Sequence, residues 1–100
     1  MLDLYEPYEF DWDQGNTVKN LIKHGIECRQ AEESFLDENS LILDDIEHSN
    51  NEKRFLMIGK DHQGVVLYLV FTQRLNKVRI ISARIANKKE RSFYEQNKSA

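Results

Sequence analysis

From Arg54 to Ala86 the hydrophobic pattern has a period of two, and this stretch constrains the fold more than any other. Short turns are predicted at Asp61–Gly64 and Leu75–Asn76, which leave three strands: Arg54–Lys60, Val65–Gln73 and Lys77–Ala86. The strand Val65–Gln73 is apolar almost throughout, so both of its faces need cover and it is placed centrally. An antiparallel meander is therefore the expected core of the fold.

Two short helices are predicted before the meander. Asp13 suits the N-cap of the first helix, and Gly25 suits the left-handed residue that ends it. The apolar face expected to pack on the sheet consists of Val18, Leu21 and Ile22. The second helix is predicted over Cys28–Leu36, and short strands flank the pair at Tyr8–Trp12 and Ser40–Asp44.

A third helix is predicted at the C-terminal end. Asn87 is followed three residues later by Glu90, the spacing of a capping box, and the helix is expected to run to about Gln96. The element order predicts an α+β fold in which an antiparallel sheet is packed by two N-terminal helices and one C-terminal helix. With 100 residues, the chain is expected to form a single domain over 1–100.

The composition argues against several classes of protein. No apolar run approaches the roughly 18 residues that a membrane-spanning helix needs, and residues 1–10 are acidic and aromatic rather than like a signal peptide. Cys28 is the only cysteine, so no internal disulfide is possible, and the cytoplasm is the expected compartment. Gly25 interrupts the spacing between His24 and Cys28, and no metal or other cofactor is expected.

Charge is distributed very unevenly along the chain. Residues 1–50 carry 3 Lys or Arg and 13 Asp or Glu, whereas residues 51–100 carry 11 Lys or Arg and 4 Asp or Glu. Within Arg74–Arg91 there are seven cations and one acid, Glu90. This asymmetry favours a basic surface for a polyanion beside an acidic one, and the alternative is that the charges only keep the domain soluble.

Four stretches, taken in order, resemble the BrnT toxin family. They are Phe10-Asp11-Trp12-Asp13 through Asn20 to Lys23-His24-Gly25; Ala31 with Phe35 and Asp37; Arg54-Phe55 through Gly59; and Arg79 to Ala86 (Arg-Ile-Ile-Ser-Ala-Arg-Ile-Ala), followed by Glu90-Arg91 and Tyr94. The resemblance runs from about Phe10 to Glu95 and implies a fold like that of RelE-type ribonucleases. It also implies a toxin that cleaves RNA without a metal and is neutralised by a dimeric DNA-binding antitoxin. The toxin would then contact operator DNA only through this antitoxin.

Metal-free RNA cleavage sets requirements for the site. The 2′-hydroxyl of the RNA attacks the adjacent phosphate, so the protein must accept one proton, return another and stabilise the added negative charge. Arg84 is the first candidate for charge stabilisation, since a guanidinium donates two hydrogen bonds to phosphate oxygens. Val78, Ile80 and Ser82 are predicted to share its side of the strand, which would partly bury it. An internal salt bridge with Glu90 is the alternative.

The other catalytic candidates each have a structural alternative. Two further residues are candidates for contacting the phosphate: Arg54, mainly because of the resemblance, and Lys23. Lys23 also suits a solvated helix end. Glu90 and Tyr94 lie at i and i+4 and are candidate proton carriers, but Tyr94 is equally suited to the core. His24 is a candidate acid or base, or else part of a helix cap.

Four further cations are predicted to bind RNA: Arg79, Lys88, Lys89 and Arg91. Lys88 and Lys89 fall in the first turn of the C-terminal helix, where cations oppose the helix dipole, so a bound anion would account for them. The antitoxin is expected to cover this basic surface. The alternatives are a non-catalytic nucleic-acid- or protein-binding module on the same scaffold, and a structural subunit whose acidic half binds a basic partner.

Overall fold

A computed structural model of the chain describes residues 8–17, 25–48 and 52–97. Their elements in order are β1 (Glu9–Phe10), helical residues 14–17 (α1), α2 (Cys28–Phe35), β2 (Leu41–Asp44), a 3₁₀ turn (Ile46–His48), β3 (Arg54–Lys60), β4 (Val66–Arg74), β5 (Lys77–Ile85) and α3 (Lys88–Asn97). The strands form one sheet in the order β1-β5-β4-β3-β2, with β4 at its centre. The predicted α+β class and the three-stranded meander are therefore confirmed.

The prediction of a purely antiparallel sheet is wrong, because β1 runs parallel to β5. Only two residues pair, Glu9 with Lys77 and Phe10 with Val78, and the Asp11 amide extends the contact by donating to the Val78 carbonyl at 2.8 Å. Side-chain alternation identifies a strand without fixing its direction. In the fold, β1 lies where the Phe10 ring packs against the core, 5.4 Å from the Phe35 ring.

A β-bulge in β5 changes which side chains share a face. Val70 pairs with Ser82 but Phe71 pairs with Ile80, so Ile81 is an extra residue in the ladder. Val78, Ile80 and Ala83 are consequently all buried on one face. The predicted placement of Arg84 beside Val78 and Ile80 is wrong, because the inserted residue moves Arg84 to the opposite face.

The main core lies between α2 and one face of the sheet. Phe71 is its centre, with its ring 4.9 Å from that of Phe35 on α2 and 5.3 Å from that of Phe55 on β3. A side chain at Gly59 would place its Cβ 2.7 Å from the Ser34 carbonyl oxygen, so glycine at this position is what permits the close approach of α2 to β3.

The two residues predicted to bound the first helix, Asp13 and Gly25, are both among the described residues. The Asp13 carboxylate accepts the amides of Gly15 at 2.9 Å and Asn16 at 3.3 Å, which confirms the N-cap. The Asn16 side chain, itself buried, donates to the Ile80 carbonyl at 2.9 Å and so ties this helix to β5. Gly25 has φ +67°, the left-handed conformation predicted for it. The apolar stripe Val18, Leu21 and Ile22 lies outside the described residues.

Candidate active site

Within the described ranges, the second face of the sheet is only partly covered. The α3 helix packs on one end of it through Tyr94, which clusters with Ile58, Val66 and Ala86. Beyond α3 lies an open hollow of about 380 Å³ whose floor is formed by Leu56, Val70 and Ile81 and whose rim includes Arg54, Asp45 and Glu47. This open face is where an extended polymer can reach side chains held by the rigid sheet.

Arg84 stands on this face beside the hollow and is held from two directions. Its two terminal nitrogens each donate to a carboxylate oxygen of Glu90 at 2.8 Å, which makes the pair bidentate. The guanidinium carbon also lies 4.2 Å from the centre of the Tyr68 ring, a neighbour on β4. The Arg84 side chain stays 38% exposed. A guanidinium fixed in this way and still open to solvent can present its remaining N–H groups to an anion.

Glu90 connects Arg84 to the start of α3. Its Oε1 accepts the Asn87 amide at 2.9 Å, while the Asn87 side chain accepts the Glu90 amide at 2.8 Å, which confirms the predicted capping box. The hydrogen bond from Arg84 lowers the pKa of Glu90, although partial burial acts in the opposite direction. The same hydrogen bond raises the pKa of Arg84. Both groups are therefore charged at neutral pH, and the internal salt bridge considered from the sequence is present.

The Glu90 contacts predict a specific acid sensitivity. Folding lowers the pKa of Glu90, so ionised Glu90 stabilises the protein at pH values above 4.5, the ordinary glutamate pKa. This stabilisation is lost as the pH falls through the lower pKa that Glu90 has in the folded protein. We expect Glu90→Gln to reduce stability at neutral pH and to flatten its decline in acid. Urea midpoints between about pH 7 and 3 measure both effects. Arg84→Gln removes the other partner of the same pair and should also flatten the plot of urea midpoint against pH. Parallel plots for wild type and Glu90→Gln would contradict the prediction.

Several cations of the C-terminal half are paired with acids from earlier in the chain. Arg79 lies 2.9 Å from a carboxylate oxygen of Asp13 and 3.6 Å from one of Asp11. Arg74 donates to Glu52 at 2.7 Å. The contacts of Arg79 thus partly cancel in space the separation of charge between the two halves, and this cation, predicted to bind RNA, is engaged by the N-terminal segment.

The remaining predicted RNA-binding residues lie on α3. Lys88, Lys89 and Arg91 are all exposed, and Arg91 also donates to the Ala86 carbonyl at 2.8 Å. The Asn87 cap occupies the Glu90 amide, so part of the donor set at this helix start is already satisfied. The two lysines lie between Arg84 and Glu90 in sequence and add exposed positive charge at this helix start.

Tyr94 occupies the core and not the open face. The residue is 1% exposed, and its hydroxyl donates to Asp37 at 2.6 Å. Burial, followed by the hydrogen bond to Asp37, raises the pKa of the hydroxyl well above its usual value. Desolvation also raises the pKa of Asp37, but hydrogen bonds led by that from Tyr94 outweigh it and the pKa is lowered. This arrangement favours the core interpretation of Tyr94.

Sequence reasoning missed Tyr68, which becomes visible only once β4 and β5 are paired. It stands directly opposite Arg84 in the register, and no local motif marks it. Lys23 and His24 lie outside the described residues, so their places relative to Arg84 stay predictions. In the described ranges, no group of three or more His, Cys, Asp or Glu side chains is placed to hold a metal ion. Nor does any described helix have the length and apolarity to cross a membrane.

These features define a small α+β protein with an arginine-bearing open sheet face. The family model described as the ribonuclease toxin BrnT of type II toxin–antitoxin systems matches residues 12–90. The chain belongs to this family, and the resemblance drawn from its motifs is confirmed. A comparison with curated proteins gives no significant match.

Proposed function

We propose that this chain is an endoribonuclease that cuts RNA without a metal ion, through attack of the 2′-hydroxyl on the adjacent phosphate. Cleavage would inhibit translation and growth until the antitoxin neutralises the toxin. Family membership supports the class of activity. The single observation that supports a particular site is the guanidinium of Arg84, which is held in place yet open to solvent on the second face of the sheet.

Arg84 is suited to stabilising the charge that develops on phosphorus. Glu90 and Tyr68 hold the guanidinium before substrate arrives, so little reorganisation is needed when the negative charge increases. Arg54, on the far side of the hollow, is the second proposed phosphate contact. RNA laid across this face would meet Lys88, Lys89 and Arg91 at the α3 end, where the proposed backbone contacts lie.

Proton transfer needs groups other than those that hold Arg84. Both oxygens of Glu90 accept hydrogen bonds and its pKa is lowered, so Glu90 is a weak proton acceptor and a better positioning group. Tyr94 is buried, and its hydroxyl is committed to Asp37. His24 therefore remains the proposed acid–base candidate, since an imidazole near neutrality can both accept and donate a proton. Lys23 remains a proposed phosphate contact.

The finer features of the system follow from the family resemblance. We propose a RelE-like fold, a cytoplasmic site of action, and a dimeric DNA-binding antitoxin through which alone the toxin reaches operator DNA. The coarser statement, that a type II toxin has an antitoxin partner and an RNA target, comes with family membership. Expression of the toxin alone should arrest growth, and co-expression of the protein encoded beside it should restore growth.

The proposed chemistry predicts the ends of the cleaved RNA. Purified protein should cleave RNA equally well with and without EDTA, because no step needs a metal. The upstream fragment should carry a 2′,3′-cyclic phosphate or 3′-phosphate, which end-specific enzymatic treatment followed by sequencing gels can identify. Protein carrying Arg84→Ala, purified identically, controls for contaminating ribonucleases. Loss of cleavage in EDTA with recovery on added Mg²⁺ would contradict the mechanism.

The alternative is a binding module that holds RNA or protein without cutting it. The complete pairing of Glu90 with Arg84 favours it, because an arginine so engaged can serve structure alone. The same preparation distinguishes the two functions. Retained binding to a labelled RNA without any cleavage, in the presence or absence of Mg²⁺, would establish the alternative.

A further inference from the structure

The hollow beside Arg84 has an apolar floor, which a bound phosphate does not explain. Leu56, Val70 and Ile81 form this floor, and the volume of the hollow is about 380 Å³. Cations bind phosphates, whereas the flat faces of nucleobases pack on apolar and aromatic side chains. A volume of this size lies in the range of pockets that hold small organic ligands, and a single base is a ligand of this kind. The floor therefore favours a base of the RNA as the occupant of the hollow.

Tyr68 connects the hollow to the proposed cleavage site. Its side chain lines the hollow, and the centre of its ring lies 4.2 Å from the guanidinium carbon of Arg84. Tyr68 precedes Val70 by two positions on β4, so the two side chains share one face of the sheet. A base in the hollow therefore belongs to a nucleotide at or next to the phosphate that Arg84 is proposed to contact.

The rim of the hollow carries carboxylates, which oppose a phosphate but suit a base. Asp45 and Glu47 stand there together with Arg54. An ionised carboxylate repels phosphate and accepts hydrogen bonds only, and base edges supply N–H donors for it. Asp45 already interacts with other parts of the chain, whereas Glu47 is exposed at the rim. Glu47 is therefore the carboxylate that we assign to the base.

The pattern of donors that a carboxylate accepts selects guanine. The two oxygens of a carboxylate accept two adjacent N–H groups, and the Watson–Crick edge of guanine presents N1–H and N2–H side by side. Adenine and cytosine present an amino group beside an acceptor nitrogen, and uracil presents one N–H between two carbonyl oxygens. A carboxylate is repelled by these acceptors. Guanine is thus the standard RNA base whose edge matches Glu47.

We propose that the hollow binds a guanine base of the RNA, with its ring on the floor of Leu56, Val70 and Ile81 and its N1–H and N2–H groups donating to Glu47. This inference rests on the proposed function for RNA as the substrate, and Arg54 keeps its proposed phosphate contact. The Watson–Crick edge of a paired guanine is occupied and its faces are stacked, so the bound guanine must be unpaired. Cleavage is expected at a phosphate close to such a guanine.

The test measures binding of the full chain to a short oligouridine with one central guanosine, by fluorescence anisotropy of a dye on the RNA. All its nucleotides carry 2′-O-methyl groups, which remove the attacking hydroxyl and prevent cleavage. Adenosine in place of guanosine should raise the Kd about fivefold or more, the lower end for one bidentate base contact. Inosine, which lacks only the N2 amino group of guanosine, should give an intermediate Kd.

Glu47→Gln should lose most of this preference, because an amide offers one acceptor oxygen in place of two. Glu38→Gln is the matched control: it removes the same charge from an exposed glutamate that does not line the hollow, and it should keep the preference. Near-ultraviolet circular dichroism checks that both variants are folded. The comparison of guanosine with adenosine on wild-type protein does not depend on any variant.

Cleavage of unmodified RNA, measured separately, distinguishes this inference from the proposed function. A guanine preference that wild type and Glu38→Gln show and Glu47→Gln lacks supports the inference, whether or not the chain cleaves RNA. Cleavage by a chain that binds the guanosine and adenosine oligomers equally would overturn the inference and leave the proposed function standing. Absence of binding to both oligomers, or a full guanine preference in folded Glu47→Gln, would also overturn it.

Discussion

Replacing Arg84 with alanine is expected to lower the rate of RNA cleavage by about two to three orders of magnitude, the scale for removing one preorganised donor to transition-state charge. The guanidinium carries this role because Glu90 and Tyr68 fix it on the open face before RNA binds. Single-turnover cleavage of a labelled RNA measures the loss. Release from growth arrest on expression of the variant is the corresponding result in cells.

Two companion variants separate charge stabilisation from a structural role. Arg84→Lys keeps the charge but loses the bidentate pair with Glu90, so we expect an intermediate rate. Glu90→Gln retains Arg84 but loosens its position, and it should also reduce the rate partially. Near-ultraviolet circular dichroism checks that each variant is folded. Folded Arg84→Ala protein that cleaves RNA at the wild-type rate would refute the proposed role of Arg84.

Replacing Tyr94 with alanine is expected to cost about 3–5 kcal/mol of unfolding free energy, the range for truncating a fully buried aromatic side chain. The ring packs with Ile58, Val66 and Ala86 and joins α3 to the sheet, and its removal also leaves Asp37 without the hydroxyl donor. Since α3 carries Glu90, this variant should lose RNA cleavage as a consequence of lost structure. Chemical denaturation monitored by circular dichroism measures the stability change.

Tyr94→Phe distinguishes the structural role of Tyr94 from a catalytic one. It keeps the ring and removes only the hydrogen bond to Asp37, so we expect a loss of about 1–3 kcal/mol in stability. Cleavage at a temperature where the variant is fully folded should match that of wild type. A hundredfold loss of cleavage by folded Tyr94→Phe, with an altered pH profile, would instead show that the hydroxyl carries a proton in the reaction.

Local sequence determined much of the fold. The capping box of Asn87 and Glu90, the Asp13 cap and the left-handed Gly25 all form as predicted, because each depends on contacts within a few residues. The strands of the meander were predicted to within one residue at either end, since alternation and turn residues are also local signals. Family membership too was readable from ordered short motifs.

The candidate site was only half determined by sequence. Arg84 and Glu90 were identified, and their salt bridge was the stated alternative to a role in catalysis. Tyr68 was not identified, because it lies 16 positions before Arg84 and meets it only through the β4–β5 register. The face on which Arg84 stands was predicted wrongly, since a single extra residue at Ile81 reverses the alternation and leaves no mark in the hydrophobic pattern.

Charge gives the clearest division between what sequence and tertiary structure decide. The sequence alone determined that acids dominate residues 1–50 and cations residues 51–100. Only the tertiary structure decided where those charges meet, by placing Asp13 against Arg79 across 66 positions and by leaving acids around the exposed edge of β2. The physical reason is that net charge is a sum over residues, whereas an electrostatic surface depends on distances that the sheet register and loop paths set.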